Sequence, residues 1–337
     1  MKKVVTFGEI MLRLSTNQGE RLSSANTLHM HYGGGEANVA IALAGYGYNT
    51  YFVSKVPDNS LGKGVCRHLH GNGVSTDFLL SGGQRLGTYY LETGSGERSP
   101  HVTYDRKYSS FSEITGDELN FEAILKDADI FHISGITLAL SESLRELVLQ
   151  AVQTAKRLGV QVSFDFNYRA TLWSQEEAAA AIKSILPYVD ICSCGELDAI
   201  YLLSIPKARS EWDNQERLVY YYEKINEKYP NIAVMASTFR TVHSASHNEL
   251  QGNLYLDGKL YQSKVHDIKP IVDRVGGGDA FASGILCGLL EDQAPAEIVA
   301  FATAASALKH TIYGDCSQFT KKEITRFIEA GSGRISR

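Results

Sequence analysis

The segment DRVGGGD at residues 273–279 runs directly into the apolar stretch AFASGILCGLL. Three consecutive glycines before a helix let the backbone turn tightly and present bare N–H groups. The helix start adds its own unpaired donors and the positive end of its dipole. That combination binds anions, phosphate above all. The carboxylate of Asp279 is out of place in a site for anions alone. It makes sense as the acceptor of a proton from a hydroxyl that attacks a bound phosphoryl group. The alternative is a plain capping aspartate after a flexible loop, since Asp is a preferred cap. Three glycines favour the first reading, because glycine costs order unless its conformational freedom is used.

A second glycine cluster, YGGGEANVA at residues 32–40, also precedes a helical pattern. It reads either as a tight turn with close helix packing or as a close approach of backbone to a polyhydroxylated ligand. Asn38, one turn into the helix, offers both a donor and an acceptor to hydroxyls.

The remainder of the chain sets the frame. At 337 residues and 44% hydrophobic, it can bury one large core or two modest ones. Net charge is −5 with no basic block, which argues against nucleic acid as a partner. The five cysteines, Cys66, Cys192, Cys194, Cys287 and Cys316, are scattered, and the C-x-C pair has no second pair to complete a zinc site. Reduced thiols fit a cytoplasmic protein. The N-terminus, interrupted by Glu9 and Arg13, does not read as a signal peptide. No apolar run approaches the ~20 residues of a membrane span.

Short β-rich runs alternate with helical patterns. Strands are expected at 3–8, 51–55, 130–134, 160–166, 190–193 and 232–237. Helices are expected at 37–45, 61–69, 141–158, 174–186, 279–290, 295–310 and 321–328. The alternation predicts an α/β fold with a doubly wound, mostly parallel sheet, as one domain over 1–337. Two inserts, about 12–32 and 83–108, are polar and strand-like. They predict a small antiparallel sheet, with 88–93 and 101–104 forming a hairpin around residues 94–96.

The two glycine segments resemble the paired signatures of the pfkB, or ribokinase-like, carbohydrate kinases. The C-terminal one has the form D-x-x-G-(A/G)-G-D. The N-terminal one has the form G-G-x-x-x-N-x-A, matched by Gly33, Gly34, Asn38 and Ala40. Gly47, Asp58 and Gly62 match further positions, while Lys55 stands where glycine is usual. The resemblance implies a ribokinase-like fold in which the small β-sheet is a lid over a sugar. It implies ATP and Mg²⁺ as cofactors and Asp279 as catalytic base. It makes Gly276, Gly277 and Gly278 the anion hole, with Ser237, Gly276 and Gly278 on the nucleotide. It also suggests a homo-oligomer. Neither a Walker A motif nor G-x-G-x-x-G occurs, which counts against other nucleotide folds. Two departures stand out. Members with N-x-x-E at the magnesium site contrast with SCGE here, where Glu196 is kept and Ser193 replaces Asn. The segment ASTFRTVHSASHNELQG lacks the usual glycines after its strand. His243 and His247 within it are spaced for a metal only on a helix, and the segment is β-like.

Arginines distinguish the substrate. Tyr104 and Arg106 are two apart and expected on one strand face. Arg169, in DFNYRATLW, follows a strand at the edge where ligands bind in such folds. Two arginines beside a sugar suggest a carboxylate, which guanidinium grips in two-pronged fashion. Within the family this constellation resembles the members that phosphorylate 2-keto-3-deoxygluconate. Carried over, the substrate residues are Gly34, Asn38, Tyr89, Tyr104, Arg106 and Arg169. Tyr89 and Tyr90 are adjacent, so their roles could be exchanged. Arg106 has a surface salt bridge as its alternative, and Arg169 a helix cap or a pairing with Asp165. The activity implied is ATP-dependent phosphorylation of 2-dehydro-3-deoxy-D-gluconate. Fructokinase or ribokinase activity is the alternative, and a non-catalytic sugar-acid sensor is a more distant one.

Overall fold

The computed structural model describes residues 1–330. In chain order its first strands are β1 (Lys3–Phe7), β2 (Met11–Ser15), β3 (His29–Gly33), β4 (Asn49–Val56), β5 (Leu79–Ser81), β6 (Thr88–Glu92) and β7 (His101–Asp105). They continue as β8 (Ile130–Ser134), β9 (Gln161–Asp165), β10 (Ile191–Ser193), β11 (Val234–Ser244), β12 (His247–Leu256), β13 (Lys259–Gln262) and β14 (His266–Ile268). The helices are α1 (Gly35–Gly45), α2 (Ser60–Gly71), α3 (Phe121–Leu125), α4 (Gly135–Leu140), α5 (Glu142–Leu158) and α6 (Gln175–Ile185). Then come α7 (Glu196–Tyr201), α8 (Asn214–Lys228), α9 (Gly277–Leu290), α10 (Pro295–Lys309) and α11 (Lys321–Ala330).

The large sheet has ten strands in the order β13-β12-β11-β10-β9-β8-β1-β4-β5, with β14 also paired to β12. From β5 through β11 the pairings are parallel. Central strands such as β1 and β8 are buried on both faces, so they read as continuous apolar runs. Val5 and Phe131 face one core cluster, while Val4 and Ile130 face the other. Helices α5, α6 and α8 cover the first face, and α1, α9 and α10 the second. Local signals set the helix ends: Ser141 caps α5 through the Leu144 N–H, and Gly159 closes it at φ 74°. No helix among the described residues is long and apolar enough to cross a membrane.

The α/β expectation holds, with differences in detail. The lid is a separate four-stranded sheet, β3-β2-β6-β7, and it is mixed rather than antiparallel. Strands β2 and β6 pair in parallel. Both inserts leave the same edge of the parallel sheet, so their first strands run in the same direction. The expected strand at 232–237 continues to Ser244 and forms a long hairpin with β12. Its outer half is exposed, so no apolar run marks it. Helix α8, rich in tyrosine and charge, was also not expected. Strand β7 ends at Asp105, so Arg106 lies beyond the strand that was to carry it.

Helices α9 and α10 pack closely enough that a β-carbon on Gly284 would overlap the Ala302 backbone. Gly284→Ala should therefore lower stability by ~1–3 kcal/mol in chemical denaturation, despite alanine's better helix propensity. A stabilised variant would show that the spacing of these helices yields.

Candidate active site

All the parallel strands end on one edge, and the helices that follow begin there. Helix α1 starts after Gly34 and α9 after Gly276. The Asn38 amide on α1 donates to the Asp279 carboxylate on α9 at 2.7 Å. Two helix N-termini are thereby fixed beside each other. The Asn38 oxygen accepts from the Gly34 N–H at 3.3 Å and from the Cys316 thiol at 3.2 Å. Both ends of the amide that was expected on sugar hydroxyls thus have protein partners.

Asp279 is not the cap of α9. Gly276 holds that position in the left-handed region, at φ 80°, and Asp279 lies in the first turn. The three glycines have different reasons to be glycine. A β-carbon at Gly276 would overlap the Asp315 carbonyl, and one at Gly277 would overlap the His310 ring. At Gly278 a β-carbon would meet nothing within 4 Å, and the residue is exposed. Gly278 therefore leaves the helix start uncovered by any side chain, and helix starts are where anions are best received.

Burial, and next the neighbouring Asp315 and Glu36, push the Asp279 carboxyl up to about 6, against the Asn38 hydrogen bond and Arg169. Asp165, at the end of β9, is pushed up to about 7 by burial and by the Asp279 charge. Burial raises Asp198 to about 6, although its carboxylate accepts the Gly195 N–H at 2.9 Å. Arg169 is the cation that offsets all three. Its own hydrogen bond is to the Tyr168 carbonyl at 3.1 Å. Asn167, two residues earlier, stands at φ 37° and donates its N–H to Asp165 at 3.1 Å. A β-carbon on Gly35 would lie 3.8 Å from the Asn167 amide and 3.7 Å from Asp279. The start of α1, the loop after β9 and the start of α9 therefore converge.

The lid supplies the opposite wall. Tyr89 is 4% exposed and donates its hydroxyl to Asp315, whereas Tyr90 lies on the other face of β6. The ring centroids of Tyr89 and Tyr104 are 5.8 Å apart. Arg106 is buried, not at a surface salt bridge. Its Nε donates to Glu9 Oε2 at 2.8 Å and its Nη2 to the same oxygen. It still sits with Tyr104, its guanidinium 5.7 Å from that ring, through a cation–π contact rather than a shared strand face. The second Glu9 oxygen is buried without a partner.

The residues expected on the nucleotide and metal have partners of their own. The Ser237 hydroxyl accepts from the Tyr222 hydroxyl at 2.8 Å. Glu196 opens α7 and pairs with Arg217 at 3.5 Å. His243 and His247 stack at 4.4 Å on the β11–β12 hairpin, beside Glu249 and Asp267 respectively. Among the described residues, no group of three or more His, Cys, Asp or Glu fits a metal ion. Glu9, Arg13, Asn167, Asp198, Asp273 and Asp315 escaped the sequence reading. Only Asn167, in N-Y-R, and Asp273, in the glycine signature, carried a local signal.

The sequence profile of pfkB family carbohydrate kinases matches residues 1–322. The chain belongs to that family. It is 33% identical over 335 residues to 2-dehydro-3-deoxygalactonokinase of Haloferax volcanii, covering 99% of each chain. Two crystal structures share the fold closely. One is a 2-dehydro-3-deoxygluconokinase from Thermotoga maritima, 40% identical with TM-score 0.94, covering 98% of this chain and 100% of that one. The other is a PfkB family carbohydrate kinase from Listeria grayi, 44% identical with TM-score 0.93, covering 97% and 100%. The ribokinase-like architecture and a kinase activity follow.

The raised pKa of Asp279 bears on stability. Its carboxyl holds a proton more tightly in the folded chain, at about 6, than at its ordinary value of 3.8. The contribution favours folding below the lower value and is lost as pH rises through the higher one. Asp279→Asn should therefore raise the thermal midpoint at pH 8, with the gain vanishing near pH ~4. A gain that grows on acidification would contradict this charge balance.

Proposed function

We propose that this kinase transfers the γ-phosphoryl group of ATP to the primary hydroxyl of 2-dehydro-3-deoxy-D-gluconate. The observation that carries the reading is Asp279. It is a carboxylate raised to about 6, held by Asn38 and set in the helix turn that presents the glycine amides. Such a group is ionised at neutral pH and still basic enough to take a hydroxyl proton. The Gly276 and Gly278 amides, with the α9 dipole, would stabilise charge on the transferring group, whereas the Gly277 N–H already donates to the Arg274 carbonyl at 3.4 Å. Tyr89, Tyr104 and Gly34 would bound the sugar. Arg169 is the cation best placed for the substrate carboxylate, because Arg106 is already paired with Glu9. Arg106 would then orient the lid wall and Tyr104.

ATP requires a divalent ion, and two carboxylates in the cleft would seat one. Burial raises the pKa of both Asp165 and Asp198, and the Asp198 charge adds to the rise at Asp165. Mg²⁺ takes one or two carboxylates, with phosphate oxygens and water completing its shell. Asp165 and Asp198 would hold it more directly than Glu196, whose carboxylate is engaged by Arg217. Bound there, the ion would neutralise phosphate charge.

The deciding experiment measures ADP release with ATP and Mg²⁺ on 2-dehydro-3-deoxy-D-gluconate, its galactonate epimer, gluconate, fructose and ribose. Selective turnover of the keto-deoxy acids is expected. Turnover of fructose or ribose instead would overturn the role given to Arg169. Asp279→Asn should lower kcat by ~10²–10⁴ while the sugar acid still binds. In the wild type, kcat/KM should fall as pH drops below about 6, where Asp279 takes up its proton. Arg169→Ala should raise KM for the sugar acid more than it lowers kcat, a loss of ~1.5–3 kcal/mol in binding. An unchanged KM would remove that contact.

A further inference from the structure

Behind the glycine turn lies a buried set of charges that the proposed chemistry does not use. Arg13 projects from β2 on the lid face that also carries Tyr89. Its side chain is 3% exposed. One terminal nitrogen donates to Asp273 at 2.6 Å and the other to Asp315 at 2.7 Å. The Tyr89 hydroxyl donates to the other oxygen of Asp315. Lys309 of α10, fully buried, donates to the Asp273 carbonyl at 3.3 Å and the Ile312 carbonyl at 3.4 Å. Two cations and two carboxylates are thus enclosed together.

Asp273 holds the turn through its carboxylate, and Asp315 meets it through its backbone carbonyl. Asp273 accepts the Val275 N–H at 3.0 Å and the Gly314 N–H at 3.1 Å. The Asp315 carbonyl abuts Gly276, the left-handed residue that opens α9. The Asp315 carboxylate fills the space a side chain at Gly33, the end of β3, would need. A guanidinium with two fixed prongs therefore ties lid strands β2, β3 and β6 to the turn that forms the hole. Buried ion pairs contribute little net stability for their desolvation cost. Their geometric exactness is what a bidentate arginine supplies and an ammonium does not.

We propose that Arg13 is a positioning residue that couples the lid to the anion hole, so that a sugar held under Tyr89 tightens nucleotide binding. This rests on the sugar kinase reading above, with Tyr89 on the sugar. Coupling of this kind is reciprocal, so nucleotide tightens sugar binding by the same factor.

The test is calorimetric. A non-hydrolysable ATP analogue with Mg²⁺ is titrated into wild type and Arg13→Met, with and without saturating 2-dehydro-3-deoxy-D-gluconate. In the wild type the sugar acid should tighten the analogue by at least ~5-fold. In Arg13→Met both ligands should still bind, the effect should fall below ~2-fold, kcat should drop at least ~10-fold, and KM for the sugar acid at saturating ATP should rise by about the coupling lost, ~2.5-fold or more. Arg13→Lys should restore only part of the coupling. If circular dichroism shows Arg13→Met unfolded, Asp315→Asn, which keeps the shape and removes one charge, takes its place with the same expectation. Absence of coupling in the wild type would overturn the proposal. So would a variant with a lowered thermal midpoint but wild-type kcat and coupling, which would make the cluster purely structural. If wild-type turnover selects a different sugar, that sugar replaces the acid in the titration. The substrate assignment would then fail while the coupling remained testable.

Discussion

A single hydrogen bond, from the Asn38 amide to the Asp279 carboxylate, depends on almost everything else in the fold and everything at the site depends on it. The two residues are 241 positions apart. They meet because parallel strands deliver their helices to one edge with the same polarity. Helix starts, with their unpaired amides, therefore accumulate there. The bond also settles an electrostatic contest. Two helix N-termini and an amide donor favour the ionised carboxylate, while burial and the nearby Asp315 and Glu36 oppose it. Opposition wins by enough to leave Asp279 basic, yet not so far that it is protonated at neutral pH.

The same crowding shapes the whole cleft. Asp165, Asp198 and Asp279 share one arginine, Arg169. A cleft so short of positive charge favours a ligand that arrives with a cation, as a magnesium-bound nucleotide does. Beneath it, the charges of Arg13, Lys309, Asp273 and Asp315 balance one another and are closed off from solvent. The layers differ in balance: three outer carboxylates share one arginine, whereas the inner charges are paired.

What the sequence made legible follows from locality. The glycine segments before α1 and α9 announce themselves because turn, helix start and carboxylate are contiguous. Strands β1, β8 and β9 read clearly because both of their faces are buried. The outer half of β11 did not, since its stability comes from pairing with β12 rather than from apolar burial. The parallel β2–β6 pairing was hidden because strand direction is a property of the main sheet, not of either insert. Arg106 was placed near Tyr104 correctly in outcome but on a strand that stops one residue short. Glu9, Arg13 and Asp315 were silent for one reason: each matters through a partner far away in sequence, and an isolated charge in a strand or loop looks like solvated surface.

The ring of His310 restricts what the glycine turn can become. Burial holds this imidazole's pKa down to about 4, and its Nδ1 is 2.7 Å from the Ser306 carbonyl. It is thus a neutral, fixed wedge against Gly277. The family signature tolerates alanine or glycine at that middle position, but this chain cannot exploit the tolerance while the wedge stays. The two sites should therefore vary as a pair across descendants of a common ancestor. An alanine in the turn would first need a smaller residue where α10 ends, and the order of those two changes would matter.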